Sequence, residues 1–560
     1  MTVTDKLSIA IAQLNPVMGD ISGNLAKARA ARQQAALAGA DLVVFTELFI
    51  CGYPPEDLVL KPAFLDACED AIADLTEDTK DGGPALLMGT PWRVKAGVHN
   101  AVVLLDGGQV AGRRFKVELP NYGPFDEKRV FIPGQLMGPL DFRGVRIGVP
   151  ICEDIWEPDV TECLTETGAE ILIVPNGSPY WRCKMDERLN IAALRVAESG
   201  LPFIYANQVC GQDELVFDGA SFALHANSSL AFQLPAFEEA VVLTEWRREG
   251  DTWLCVDGPK AHLEEGDEAD YRACMLGLRD YVNKNRFPGI VLGLSGGIDS
   301  AICAAMAVDA LGPDRVHAIM LPYRYTSEES LKDAANCARA LGIRYDVVPI
   351  AEPVEGFEKA LAPLFDGTNR DLTEENLQSR TRGTILMSVS NKFGPMVVTT
   401  GNKSEMSVGY ATLYGDMNGG FNPIKDIYKT QVFRLCHLRN RWKPHDALGP
   451  SGEVIPVNII TKPPSAELRE DQKDEDSLPS YEVLDAVLER LVERELRVSD
   501  IVAEGYDQEV VARVQRLLYL AEYKRRQAAP GVKVTKKNFG RDRRYPITNG
   551  FRDNGEAGAT

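Results

Sequence analysis

The sequence predicts an α/β chain of two domains. The chain is 560 residues long, too long for one hydrophobic core. Its first half is a series of short apolar runs broken by turn residues, as buried strands are. Its second half alternates strand-like and helix-like segments, the pattern of βαβ units around a parallel sheet.

In the first half the apolar runs are LSIAIAQL, DLVVFTEL, ALLMGT, NAVVLLD, VRIGVPIC, EILIVPN and PFIYANQV. Between the first two, NLAKARAARQQAALAGA has helical spacing and closes on glycine. VVLLDGGQVAGRRF reads as a hairpin turning at Asp-Gly-Gly. The polar stretch GPKAHLEEGDE, near 258–268, reads as a linker, so the domains are expected at 1–260 and 269–560. A helix, ADYRACMLGLRDYVNKN, opens the second half. The strands GIVLGLS, RVHAIMLP, YDVVPI and PMVVTTG then alternate with the helices SAICAAMAVDAL and SLKDAANCARALG. The polar segment PPSAELREDQKDEDSLPS reads as a loop.

Composition narrows the function classes. A hydrophobic share of 45% and a charged share of 25% suit a soluble globular protein. The net charge of −20 repels phosphate backbones and argues against nucleic acid as a partner. No apolar run approaches the ~20 residues of a membrane span, and MTVTDKLSIAIAQLNP lacks the pattern of a secretion signal. Eleven cysteines without a C-x-x-C pair and six histidines without a cluster argue against a zinc site and a disulfide framework. A cytoplasmic protein with reduced thiols is expected.

The stretch GIVLGLSGGIDSA, Gly289–Ala301, follows a strand and opens a helix. Gly296 and Gly297 permit a tight turn that exposes successive backbone N–H groups at a helix N-terminus, an anion site by geometry. Ser295 and Ser300 add hydroxyl donors. The lysine of a kinase-type phosphate loop is missing. Asp299 would repel phosphate unless a Mg²⁺ ion bridged the two. An ordinary capped strand-to-helix turn would explain the glycines and serines, but not strand, loop, helix and Asp-Ser ending together.

This motif resembles the loop of the ATP pyrophosphatases, which split ATP into AMP and pyrophosphate. The resemblance implies a Rossmann-like parallel-sheet domain. In it Gly293, Leu294, Ser295, Gly296, Gly297, Ile298, Asp299 and Ser300 bind ATP, and Asp299 binds Mg²⁺. NLQSRTRGTILMSVSNKFG, VVTTGNKSEMSVGYATLYGD and YKRRQAAPGVKV resemble, more narrowly, the NAD synthetases. That resemblance implies that Asn376 and Arg380 contact deamido-NAD and that Thr400 contacts ATP. Glu405 is either a second Mg²⁺ ligand or a substrate contact. Lys429 reaches the ATP phosphates and Lys524 the dinucleotide. One position departs from the single-domain relatives, which carry a lysine where this chain has Leu413, so no contact near Asp416 is carried over.

Amidation of a carboxylate needs ammonia, which near neutral pH is mostly ammonium. Ammonia can be made locally from glutamine by a nucleophile, a base and a cation for the developing oxyanion. Glu47, Lys116 and Cys152 each stand just beyond an apolar run. Singly they would read as a cap, a surface charge and a buried thiol. Their order, with GVPICEDIW around the cysteine, resembles the nitrilase superfamily. That implies an α-β-β-α sandwich with Cys152 as nucleophile, Glu47 as general base and Lys116 as oxyanion cation. Glu127 resembles the family's further glutamate, and Tyr122, Ser178 and Lys184 match glutamine-binding positions. Together the resemblances imply a homo-oligomeric enzyme using glutamine, ATP and deamido-NAD, through an adenylate. A tRNA thiolase shares the SGG loop, but the acidic charge and missing C-x-x-C argue against it. A non-catalytic sensor would not need the set Glu47, Lys116 and Cys152.

Overall fold

The strands of the first half leave no polar face, so both of their faces must be covered. The computed structural model shows how. It describes residues 5–250, 252–256, 258–470, 472–476, 478–553 and 555. The chain divides into two units, 1–212 with 216–264, and 213–215 with 265–560.

The first unit holds two large sheets. One has seven strands, in the spatial order Thr252–Cys255, Ala240–Glu249, Lys6–Gln13, Leu42–Val44, Ala85–Val94, Gly97–Asp106 and Gln109–Phe115. The other has six, in the order Leu230–Gln233, Phe222–Leu224, Phe203–Asn207, Ile171–Asn176, Val145–Gly148 and Leu140–Phe142. Ile9, Val44 and Leu104 of the first sheet share one core with Ile147, Ile173 and Ile204 of the second. Helices cover the outer faces. Ile21–Leu37 and Pro62–Asp78 lie on the seven-stranded sheet. Asp159–Glu166 and Lys184–Ser199 bury Val160, Leu164, Ala192 and Val196 against the six-stranded one. This is the expected α-β-β-α sandwich. The expected hairpin is present too: Asp106 pairs with Gln109. Gly107 and Gly108 take φ of 59° and 79°, as a two-residue hairpin turn of this kind requires.

One strand is shorter than its apolar run. DLVVFTEL keeps only Leu42–Val44 as strand, because the chain turns inward at Leu48, φ 48°. The residues beyond stay buried without joining the sheet. That turn presents Glu47.

The second unit is built on a four-stranded parallel sheet in the order Arg344–Val347, Val316–Met320, Ile290–Gly293 and Met396–Val397. From its first strand in sequence the chain builds outward on one side, then returns to the other side of that same strand. This reversal, between Ile290–Gly293 and Met396–Val397, is where ligands bind in open parallel sheets. Helix Ile298–Leu311 is mostly apolar, and every residue but Asp299 is buried, as befits a helix enclosed on all sides. A helical layer, including Tyr481–Val492 and Gln508–Leu520, packs around Leu484, Leu488, Val511 and Val514. Among the described residues no helix is long and apolar enough to cross a membrane.

Candidate active sites

In the first unit Glu47, Lys116 and Cys152 converge at the ends of their strands. Lys116 Nζ donates to Glu47 Oε1 at 2.7 Å and to Glu127 Oε1 at 2.9 Å. Lys116 and Glu47 are fully buried. Burial alone would drive the ammonium to lose its proton, but the Glu127 and Glu47 carboxylates overcome that and hold Lys116 well above the usual lysine range. Removing one partner of such a buried pair costs on the order of 3–5 kcal/mol. Asn100 Nδ2 also donates to Glu47 Oε1, at 2.7 Å, while Oε2 accepts the Gly177 N–H at 2.9 Å. Gly177 also lies close enough to Cys152 to favour its thiolate. A side chain at 177 would press on Tyr53 and on Glu47 Oε2, with a Cβ only 2.8 and 3.1 Å away.

Cys152 opens a short helical turn, Cys152–Ile155, with φ of 47°. A non-glycine residue at positive φ is strained by ~1–3 kcal/mol and persists only where its surroundings fix it. Burial pushes the Cys152 thiol well above its ordinary range, Glu47 and Glu153 add to this, and Lys116 opposes. The resting sulfur is therefore a neutral thiol that needs a base, and Glu47 stands beside it. Glu127 is raised to about 7, by burial and by Glu47 against the pull of Lys116. Its Oε1 accepts from Lys116 and from the Tyr53 hydroxyl, at 2.7 Å for the latter. Its buried Oε2 has no hydrogen-bond partner among the described residues.

Around this centre, beside Glu127, lie the other three residues expected to touch glutamine. Lys184 Nζ sits over the rings of Trp156 and Trp181, 4.2 and 3.7 Å from their centroids, and 3.2 Å from Glu187. Burial and Arg188 lower it to about 8. Ser178 is held in place: its N–H bonds Asn207 Oδ1 at 2.9 Å and its Oγ accepts from Arg188 Nε at 3.1 Å. Tyr122, 54% exposed, donates from its hydroxyl to Glu153 Oε1 at 2.8 Å.

In the second unit a cleft of about 290 Å³ opens at the sheet reversal. Its walls include Gly293–Ser300, except Gly296, together with Thr400, Glu405 and Lys429. Gly296 has φ of 80°, and a Cβ there would lie 2.3 Å from the Ser330 carbonyl oxygen, so only glycine fits that turn. Helix Ile298–Leu311 has Gly297 at its N-cap with no side-chain cap, which leaves the first-turn N–H groups to a ligand. Ser295 and Ser300 bond each other through their hydroxyls at 3.1 Å. Asp299 Oδ2 pairs with Lys429 Nζ, which is 3.4 Å from Glu405 Oε1. Asp299 Oδ1 accepts from Asn402 Nδ2 at 2.8 Å. Burial, and Asp299 beside it, raise Glu405 to about 8 despite Lys429.

Among the described residues no cluster of three or more His, Cys, Asp or Glu is placed to hold a metal. Two carboxylates that share one lysine do fit Mg²⁺, which commonly takes one or two carboxylates plus substrate phosphates. A carboxyl as raised as Glu405 gains most from an added cation.

Asn376, Arg380 and Lys524, expected at deamido-NAD, stand on two helices and all bond the segment 409–413 beside the cleft. Asn376 Oδ1 accepts from Thr412 Oγ1 at 3.0 Å, and Arg380 Nε donates to the Leu413 carbonyl at 3.2 Å. Lys524 Nζ donates to the Gly409 and Ala411 carbonyls at 2.8 and 2.6 Å. Asp416 lines the cleft itself. Reasoning from sequence missed Asn402 and Asp474. Asn402 was legible as the start of an N-x-x-E capping box with Glu405. Asp474 was not: it lies in the acidic run read as a plain loop. That segment instead brings Pro464–Leu468 and Asp474 to the cleft, and Asp474 accepts the Tyr481 hydroxyl at 2.8 Å.

A family model described as NAD synthase matches residues 270–528, and one described as carbon-nitrogen hydrolase matches 8–250. The glutamine-dependent NAD(+) synthetase of Rhodobacter capsulatus is 53% identical over 98% of this chain and 100% of its own length. That of Thermotoga maritima is 40% identical over 98% of this chain and 99% of its own. The solved structure of the Acinetobacter baumannii enzyme in complex with ADP is 41% identical, covers 98% of this chain and 99% of its own, and superposes with a TM-score of 0.78.

Proposed function

The chain belongs to the glutamine-dependent NAD(+) synthetases, and from that premise we propose that its units carry out two half-reactions joined by ammonia. In the first, the Cys152 sulfur attacks the side-chain amide carbon of glutamine while Glu47 takes the thiol proton. Negative charge gathering on the carbonyl oxygen is met by the Lys116 ammonium. Glu47 returns the proton to nitrogen, the C–N bond breaks, and NH₃ leaves behind a thioester. Water, deprotonated by Glu47, then releases glutamate and restores the thiol. Tyr122, Glu127, Ser178 and Lys184 hold the glutamine. The observation that carries this reading is the set of bonds that fixes Glu47. Lys116 and Asn100 both donate to Oε1 at 2.7 Å, while Oε2 accepts the Gly177 N–H at 2.9 Å.

In the second half-reaction the deamido-NAD carboxylate attacks the α-phosphorus of ATP, giving an acyl adenylate and pyrophosphate. NH₃ attacks the adenylate carbonyl, AMP leaves with the C–O bond, and loss of a proton leaves the amide of NAD. The loop Gly293–Ser300 and Lys429 receive the phosphates, and Thr400 lines the ATP cleft. Asn376, Arg380 and Lys524 face the dinucleotide. Asp299 and Glu405 would hold Mg²⁺, which supplies neutralising charge at the phosphates. The support is the position of the loop at the sheet reversal, where it opens a helix whose N-cap, Gly297, offers no side-chain cap.

The test is a mass balance on purified protein with deamido-NAD, ATP, Mg²⁺ and glutamine. NAD, AMP and pyrophosphate are expected in equal amounts. ADP and phosphate in their place would reject the adenylate route.

A further inference from the structure

We propose that Asp154 is a positioning residue of the thiol site, one buried carboxylate that clips the loop carrying Lys116 to the turn carrying Cys152. The inference rests on the reading of Cys152 as the nucleophile of a glutaminase.

Asp154 stands two residues past Cys152 and is 1% exposed. Its Oδ2 accepts the Ile151 N–H at 2.9 Å, within its own turn. Its Oδ1 accepts two N–H groups from a separate loop, Val117 at 2.9 Å and Glu118 at 2.7 Å. These two directly follow Lys116. Three backbone donors, from just before the nucleophile and just after the cation, thus end on one side chain.

Both neighbours need this. Cys152 sits at strained positive φ, and the Ile151 bond fixes the residue before it. The backbone of Lys116 is tied to the sheet by its own N–H, which bonds the Asn100 carbonyl at 2.8 Å. Past that point the loop's next two N–H groups have Asp154 as acceptor. A buried carboxylate is costly unless well bonded, and a simple cap of the 152–155 turn would need only the Ile151 bond. The two bonds across to the other loop go beyond capping and set the separation of sulfur and ammonium. In the attack that separation matters, since a misplacement of ~1 Å can cost about 100-fold in rate. Of the residues that hold glutamine, Tyr122, Ser178 and Lys184 make no bond to Asp154, and Glu127 is also held by the Tyr53 hydroxyl, so the loss should fall mainly on kcat and spare KM.

The test is Asp154→Asn, assayed as glutamate released from glutamine. The amide keeps one acceptor oxygen and turns an NH₂ toward at least one former donor. Competent sites are counted by covalent titration of Cys152 with a chloroketone analogue of glutamine, so that misfolded protein is excluded. We expect kcat per titrated site to fall about 10- to 100-fold with KM changed less than about threefold. A kcat within about twofold of the parent, or a KM that rises as kcat falls, overturns the proposal. Absence of glutamate release by the parent protein would instead reject the glutaminase reading beneath it. Should D154N not fold, amide hydrogen exchange of the parent protein decides. The Val117 and Glu118 amides should exchange at least about 100-fold slower than unprotected amides, and unprotected exchange at both would overturn the clip.

Discussion

Cys152→Ala should abolish NAD formation from glutamine and leave NAD formation from added ammonium salt within about twofold of the parent protein. The expected loss with glutamine is large, about 10⁴-fold or more, because no other group can form the thioester and losing a nucleophile costs on that scale. Folding should be little affected. Alanine keeps the Cβ and meets the same strain at φ 47°, and the Asp154, Gly177 and Glu47 contacts are made by other residues. The discriminating quantity is the ratio of the two activities in one preparation. Loss of both in a folded variant would mean that the thiol serves more than ammonia release.

Asp299→Asn should cut NAD formation with either nitrogen source by about 100-fold or more, since charge stabilisation of a phosphoryl transition state amounts to several kcal/mol and each 1.36 kcal/mol is tenfold. The substitution is nearly isosteric. An asparagine oxygen can still accept the Asn402 amide now bonded to Oδ1. What it loses is the charge that pairs with Lys429. Lys429 would then face Glu405 alone, and burial and Asp299 are what now raise that carboxyl to about 8. Raising Mg²⁺ should restore only part of the activity. Near-parental rates with ammonium would remove Asp299 from the phosphate site. The two variants fail differently, one with glutamine only and the other with both donors, and that contrast is the signature of two half-reactions in one chain.

Much of this architecture was legible in the residues. Glu47 and Cys152 could be picked out as a charged and a reactive group beyond apolar runs, where a lone charge would be costly, and Lys116 by the order of the three, which resembles the nitrilase superfamily. The Gly296 turn was legible because glycine alone tolerates that φ. What could not be read was the wiring. Asp154 lies in the same CEDIW stretch as the cysteine, yet two of its donors stand 36 and 37 residues away, and no local pattern reports that contact. Asn100 reads as one polar residue in an apolar strand until its amide is seen on Glu47. The short strand Leu42–Val44 and the buried turn at Leu48 were hidden because an apolar run does not record where the backbone leaves the sheet. Asp474 was hidden by composition, since an acidic run reads as solvated until it packs against a cleft.

The central claim is that the amide nitrogen of NAD comes from glutamine by way of Cys152. It is tested most directly with glutamine labelled with ¹⁵N at its side-chain amide, supplied at saturation together with unlabelled ammonium salt, deamido-NAD and Mg²⁺-ATP. Mass spectrometry of the NAD carboxamide reads the source of the nitrogen. The account predicts that nearly all of the NAD carries ¹⁵N, with one glutamate formed for each labelled NAD or more. NAD carrying the unlabelled nitrogen of the salt while glutamate accumulates would contradict it.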